Sequence, residues 1–243
     1  MGRSILPTAE ADTLYPRALS ILDDLKQLEE EIVSTGKSVA GELIIGASTI
    51  PGTYLLPKLA ASFKNKYPDI SFEIKISDSA KIVRAVQNNE LLIGFVGAKI
   101  PAKKVTYQPF VDDELILVAA KDNPVPDTIT LDQLCKLPFI MRENGSGTRK
   151  TIEAALAEHQ INTGKLHICA TLGSSAAVKE AIIADLGVSF VSRYAVQQEL
   201  EGEKVKEIRT MGVSMKRTFF IVTLTKRTLP HCYNTFLKNT NPS

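Results

Sequence analysis

Cysteine is scarce in this chain of 243 residues: Cys135, Cys169 and Cys232 stand far apart and form no CxxC pair. An odd, scattered set argues against a disulfide framework or a zinc site and fits a reducing cytoplasm. Histidine is equally sparse. His159, His167 and His231 have no carboxylate or cysteine at metal-ligand spacing. The first and last read as solvated and His167 as structural. There is no GxSxG elbow, no HExxH and no GxxxxGK[ST] loop. No apolar run approaches the roughly 20 residues needed to cross a bilayer, so no membrane partner is expected. The opening MGRSILPTAEADTLYPR lacks a basic stretch followed by an apolar one, so it does not read as a secretory signal. Nor is there an excess of one charge: 29 Lys+Arg stand against 27 Asp+Glu, a net +2, which leaves no electrostatic footprint for nucleic acid. These absences predict no metal and no cofactor, and they favour a binding protein over an enzyme.

What is present is a globular composition, 44% hydrophobic and 23% charged, which excludes disorder as the main state. The length suits one large domain or two of roughly 100 residues each. The first 36 residues differ from the rest. They carry three basic against seven acidic residues, and Leu14, Ala18, Ile21, Leu25, Leu28 and Ile32 recur in steps of four and three. That is a heptad seam, too narrow for a large core and of the right width to pair with another helix. The alternative is a helix packed on its own domain. Thr35-Gly36 supplies a stop, and Pro16 demands a helix starting near Asp12 or a kink.

After Gly41 short apolar runs alternate with helical stretches. GELIIGAS, ISFEIKIS and LLIGFVG read as strands, with helices in LLPKLAASFKNKYP and AKIVRAVQNNE between them. The same order recurs in LPFIMRE, GTRKTIEAALAEHQ, LHICATL, AAVKEAIIAD and GVSFVS. Each βαβαβ unit builds a parallel sheet. VTYQPFVDDELILVAA and KRTFFIVTLTKR are long enough to run from one sheet to the other, and PHCYNTFLKNT reads as a closing helix. The fold class is α/β, two lobes joined by two crossing strands and preceded by a long helix.

Ligands of open parallel sheets bind beyond the carboxyl ends of the strands. Those ends are Ala47-Ser48-Thr49, Ser77-Asp78-Ser79, Val96-Gly97-Ala98, Arg142-Glu143-Asn144, Gly173-Ser174-Ser175 and Ser192-Arg193. Hydroxyls, glycines and two arginines suit a small polar ligand, above all an anion. RENGSGTRK, Arg142 to Lys150, is the sharpest motif. Its glycines permit a tight turn, Ser146 or Thr148 can cap the following helix, and Arg142 or Arg149 adds charge. The same residues also fit an ordinary strand-to-helix turn. Asp78 either accepts from a ligand or caps its helix. Asp112-Asp113-Glu114, flanked by apolar residues, reads as a solvated turn.

The heptad helix, GELIIGAS…LLPKLAASFKNKYPDISFEI, NNELLIGFVG, PFIMRENGSGTR and AIIADLGVSFV, in that order, resemble the effector-binding part of LysR-type transcriptional regulators over nearly the whole chain. The resemblance implies two Rossmann-like lobes of the type-two periplasmic-binding-protein kind. Lobe I is then 37–117 plus 220–243 and lobe II 118–219. Residues 1–36 are the end of a winged helix-turn-helix domain and a linker, dimerisation helix, with DNA read by roughly 60 residues absent from the chain. It implies a small-molecule effector in the cleft and self-association to dimers or tetramers. The family's effector contacts fall on Ser48, Thr49, Ile50, Ser79, Gly97, Gly173 and Ser174, beside the Arg142, Ser146 and Thr148 of the motif. Ile50-Pro51 stands where some sulfate-responsive members carry a polar pair. The competing architectures are a transporter's solute-binding protein, which should carry a secretory signal and no heptad helix, and an enzyme on the same fold, which needs an acid–base set.

Overall fold

In the computed structural model, the residues described are 39–240 and, before them, 8, 10, 11, 14, 15, 17, 18, 21, 22, 25 and 28. From residue 10 onward those early positions are helical, and Leu14, Ile21, Leu25 and Leu28 of the predicted seam are half or more exposed. Pro16, Ile32 and the Thr35-Gly36 stop lie outside the described residues.

β1 (Gly41–Ser48) is the middle of a parallel trio, with β2 (Ile70–Ser77) on one side and β3 (Ile93–Val96) on the other. Alternation fills both faces of this trio. Leu43, Ile45, Ala47, Ile93 and Phe95 face a core closed by α1 (Leu56–Lys66) and the last helix, α7 (His231–Thr240). Val96 and Val222 face a second core under α2 (Ser79–Gln87) with Ile82, Val83 and Val86. Phe63, Phe72 and Phe236 meet edge-on in the first core. There Tyr233 donates its hydroxyl to the Ile44 carbonyl at 3.3 Å and accepts from the Ile44 N–H at 2.9 Å.

β4 (Val105–Ala120) and β10 (Met215–Leu224) are the crossing strands, antiparallel from Val105↔Leu224 to Leu115↔Met215. A bulge between Phe219 and Phe220 turns the ribbon. Beyond it β4 carries the same continuous sheet into the second lobe, where it pairs with β8 (Ser189–Ser192) and β9 (Val205–Thr210). The second lobe repeats the first: β6 (Phe139–Arg142) pairs in parallel with β7 (Ile168–Leu172) and touches the β8 segment through the Phe139↔Val188 bridge. Its cores again follow parity, with Leu115, Leu117, Phe139, Met141 and Phe190 on one side and Ile116, Val118, Ile140 and Val191 on the other. α4 (Gly147–Glu158) covers the first, and α5 (Ser175–Ile183) with α6 (Arg193–Glu201) the second.

The short β5 (Thr128–Ile129), α3 (Leu131–Leu134), α6 and β9 were not foreseen. The first helical stretch begins earlier than the predicted Leu55, because helical residues 49–50 and π-helical Pro51–Leu55 run directly into α1. Asp112-Asp113-Glu114 is no solvated turn. It lies mid-strand in β4, opposite Thr218, Arg217 and Lys216, and strand alternation sends Asp113 inward and its neighbours outward.

Candidate functional site

The carboxyl ends of both parallel sheets meet between the lobes around a cavity of only about 10 Å³, roughly the space one water needs, so the lobes are apposed and a ligand enters as they part. Its wall includes Ser48, Thr49, Ile50, Ser79, Gly97, Arg142, Ser146 and Thr148, so eight of the ten sequence-predicted residues come together. Gly173 and Ser174 do not line it. Gly173 is exposed, and Ser174 turns its hydroxyl to cap α5, accepting from the Ala177 N–H at 3.1 Å. The next residue, Ser175, stands behind the wall and touches two of its members: its Oγ lies 2.6 Å from Arg142 Nη1 and 2.9 Å from the Thr49 hydroxyl.

Arg142 is the centre of the arrangement. It ends β6, a strand buried at every residue, and is itself 3% exposed. Nε and Nη2 donate to the two oxygens of Glu143 at 2.7 Å each, a bidentate pair. Nη1 donates to Ser175 in its own lobe and to Thr49 in the other at 3.3 Å. One guanidinium therefore ties the lobes together. Ile50 lines the cavity and also belongs to the buried cluster of Val178 and Ile182 in the second lobe, so its burial helps hold the lobes together.

The RENGSGTRK turn closes the other flank. Gly145 has φ +89°, a backbone state that favours glycine, and its carbonyl accepts from the Ala80 N–H at 3.3 Å. At Gly147 an added Cβ would stand 2.9 Å from the Gly97 carbonyl carbon and from Ser79 Oγ, so only a bare Cα lets α4 approach the first lobe. Ser146 caps α4, accepting from the Arg149 N–H at 3.4 Å. Thr148 does not cap. Arg149 is spent on Glu153 at 2.8 Å and on the Arg142 carbonyl at 3.1 Å.

The residue missed from sequence is Arg217. It lies within β10 rather than at a strand end, lines the same cavity, and has a side chain 5% exposed. Nε donates to Asp113 Oδ2 at 2.7 Å and Nη1 to Thr148 Oγ1 at 3.1 Å. Asp113, fully buried at its side chain, also accepts from the Ser192 hydroxyl at 2.7 Å. Nη2 of Arg217 is buried with no hydrogen-bond partner. Burial pushes this guanidinium below the usual arginine range; Asp113 opposes the shift and the nearby Arg142 charge adds to it. A donor left unmet at such depth costs about 1–3 kcal/mol, and an anion would satisfy it. Arg193, the other predicted arginine, turns away to Glu114 and Glu207 at 3.0 Å each.

Asp78 caps α2 through the Lys81 N–H and also lines the cavity. His159, His167 and His231 are exposed and lie outside it. Among the described residues no group of three or more His, Cys, Asp or Glu is placed to hold a metal ion, and no helix is long and apolar enough to cross a membrane.

The family profile of the LysR substrate binding domain matches residues 36–240. A probable RuBisCO transcriptional regulator of Guillardia theta is 34% identical over 230 residues, covering 91% of this chain and 73% of its own. The regulatory domain of Synechocystis PCC6803 CcmR, solved in complex with 2-PG, superposes with a TM-score of 0.74 at 29% identity over 82% of this chain and 95% of its own. The effector-binding domain of QuiR, in complex with shikimate, superposes with a TM-score of 0.73 at 19% identity over 83% and 95% of the two chains. That last likeness speaks for the fold alone.

Proposed function

The chain belongs to the LysR substrate binding domain family, and from that premise we propose that it is the effector-sensing part of a DNA-binding transcription regulator that holds a small anion between Arg142 and Arg217. One observation carries this reading: a guanidinium buried between the lobes with an unmet N–H, beside a second buried arginine and a wall of hydroxyls. The CcmR domain with 2-PG supports a small-molecule ligand in this fold. We read the chain as a binding protein and not an enzyme, working in the cytoplasm with its three cysteines outside any disulfide.

The lobe boundaries we favour are 37–117 plus 220–243 and 118–219, a division supported by the bulge at Phe219/Phe220. Residues 1–36 would supply the end of the DNA-binding domain and the linker helix. The exposed Leu14, Ile21, Leu25 and Leu28 support pairing with a second copy, as dimer or tetramer. DNA would be read by the domain ahead of that helix.

An effector shifts a conformational equilibrium only by binding one state better. Here the contact that differs is the Thr49–Arg142–Ser175 tie. An anion that draws on Arg142 competes for the hydrogen bond it donates across the lobes, so occupancy and lobe apposition are linked. The test is thermal unfolding with a panel of small carboxylates, phosphorylated metabolites and sulfur oxyanions. A ligand at 100 times its Kd stabilises by about 2.7 kcal/mol. The wild type is expected to shift with at least one of them, and Arg142→Ala, Arg217→Met and Ser48→Ala to lose most of that shift. A full shift retained in all three variants overturns the site.

A further inference from the structure

Which anions the cleft accepts is written in its one obligate acceptor. Every polar side chain on the cavity wall can donate a hydrogen bond except Asp78. Its side chain is 6% exposed. Oδ1 accepts from the Lys81 N–H at 2.8 Å, and Oδ2 pairs with Lys81 Nζ at 3.2 Å. The Lys81 side chain is 74% exposed, so water screens its charge and it neutralises the carboxylate weakly. Two oxygens offer about four lone pairs, and these contacts occupy two. The second lobe closes directly over the same group: a Cβ on Gly145 would stand 2.8 Å from Asp78 Oδ1. The wall thus includes Arg217, whose buried Nη2 is an unmet donor, and an acceptor with lone pairs to spare.

A fully deprotonated oxyanion answers only the donor, and it sets its own lone pairs against a carboxylate. An oxyanion that keeps an O–H answers both. Resting on the anion reading above, we infer that Asp78 is a specificity-determining residue that selects oxyanions bearing a hydroxyl, such as hydrogen phosphate, phosphate monoesters in their protonated form and hydroxy acids, over bare ones such as sulfate. The carboxylate accepts from the ligand O–H while Arg142 and Arg217 take the charge. Asp78 keeps its role as helix cap throughout, because the Lys81 N–H uses only one of its lone pairs.

Hydrogen phosphate and sulfate make the test clean. At mildly alkaline pH both are dianions of nearly equal size that differ by one O–H. Isothermal titration of the whole chain should give a Kd for phosphate at least about tenfold below that for sulfate, equivalent to about 1.4 kcal/mol. In Asp78→Asn the amide can donate, and the two affinities should come within about threefold of each other. Asn and Ser cap helices as well as Asp, so Asp78→Ser is a second variant that keeps α2 folded, checked by far-ultraviolet circular dichroism, and it should show the same collapse. Equal wild-type affinities, or a preference that survives both variants, overturn the role of Asp78 while leaving the anion site standing. Failure of the wild type to bind either ion overturns the anion site and this inference together.

Discussion

Truncating Asp113 should unfold the crossing ribbon more than any change on the cleft wall. Its side chain is fully buried and that of Arg217, its partner at 2.7 Å, is 5% exposed. Asp113→Ala leaves a guanidinium that already lacks a partner at Nη2 with no counter-charge at all. Removing one member of a buried pair costs about 3–5 kcal/mol, whereas replacing both by apolar groups is often neutral. For a chain of this size each kcal/mol lowers Tm by about 2–4 °C, so Asp113→Ala should lower it by roughly 6–20 °C. The double variant Asp113→Leu/Arg217→Met should regain most of that loss and should still lack anion stabilisation. Urea unfolding of the wild type, Asp113→Leu, Arg217→Met and the double variant closes a cycle that separates pair energy from packing. If Asp113→Ala lies within about 1 kcal/mol of the wild type, the pair is behaving as a solvated surface pair and the reasoning fails.

Gly147→Ala should cost about 1–3 kcal/mol through overpacking, since its Cβ meets the Gly97 carbonyl carbon at 2.9 Å; because it pries α4 from the first lobe, anion affinity should fall with it, and an unchanged titration refutes the close approach. Burial pushes the Tyr233 phenol up to about 12, above the ordinary value of 10. A raised pKa in the fold stabilises fully below the unfolded value and is lost as pH rises through the folded one, so stability should fall by about 2 kcal/mol between pH 10 and 12. Tyr233→Phe should lack that share of the alkaline loss when compared by chemical unfolding at each pH. Ile21→Glu with Leu25→Glu places charge on the exposed seam and should convert a dimer to a monomer in sedimentation velocity, with the lobes' unfolding unchanged.

Parity carried most of the fold. β1, β2 and β4 occupy the stretches read as strands from end to end, because their alternation has to serve a buried face and glycine, proline or polar clusters bound them. α6 was hidden because it starts directly after β8, with no linker and no side-chain cap at Ser192. β9 was hidden by composition: VKEIRT buries only Val205 and Ile208, too few for a visible pattern. At the site, strand-end reasoning reached the residues that sit at strand ends, including Arg142. It missed Arg217 and misread Asp113 because both lie inside the crossing strands. Their pairing depends on the β4–β10 register, which long-range contacts set. A signal was present nonetheless: an acidic triplet in one crossing strand and Lys216-Arg217-Thr218 in the other are complementary once laid antiparallel. Gly173 and Ser174 stand off the cavity wall, since helix capping engages Ser174 and it is Ser175 that reaches Arg142.

The claim on which the rest depends is that a small anion sits between Arg142 and Arg217. Crystals grown with hydrogen arsenate test it most directly, through anomalous scattering from the arsenic. A peak is expected between the lobes, within hydrogen-bonding reach of both guanidiniums and of Asp78. Arsenic sites confined to the outer surface, with none in the cleft at saturating arsenate, would contradict it.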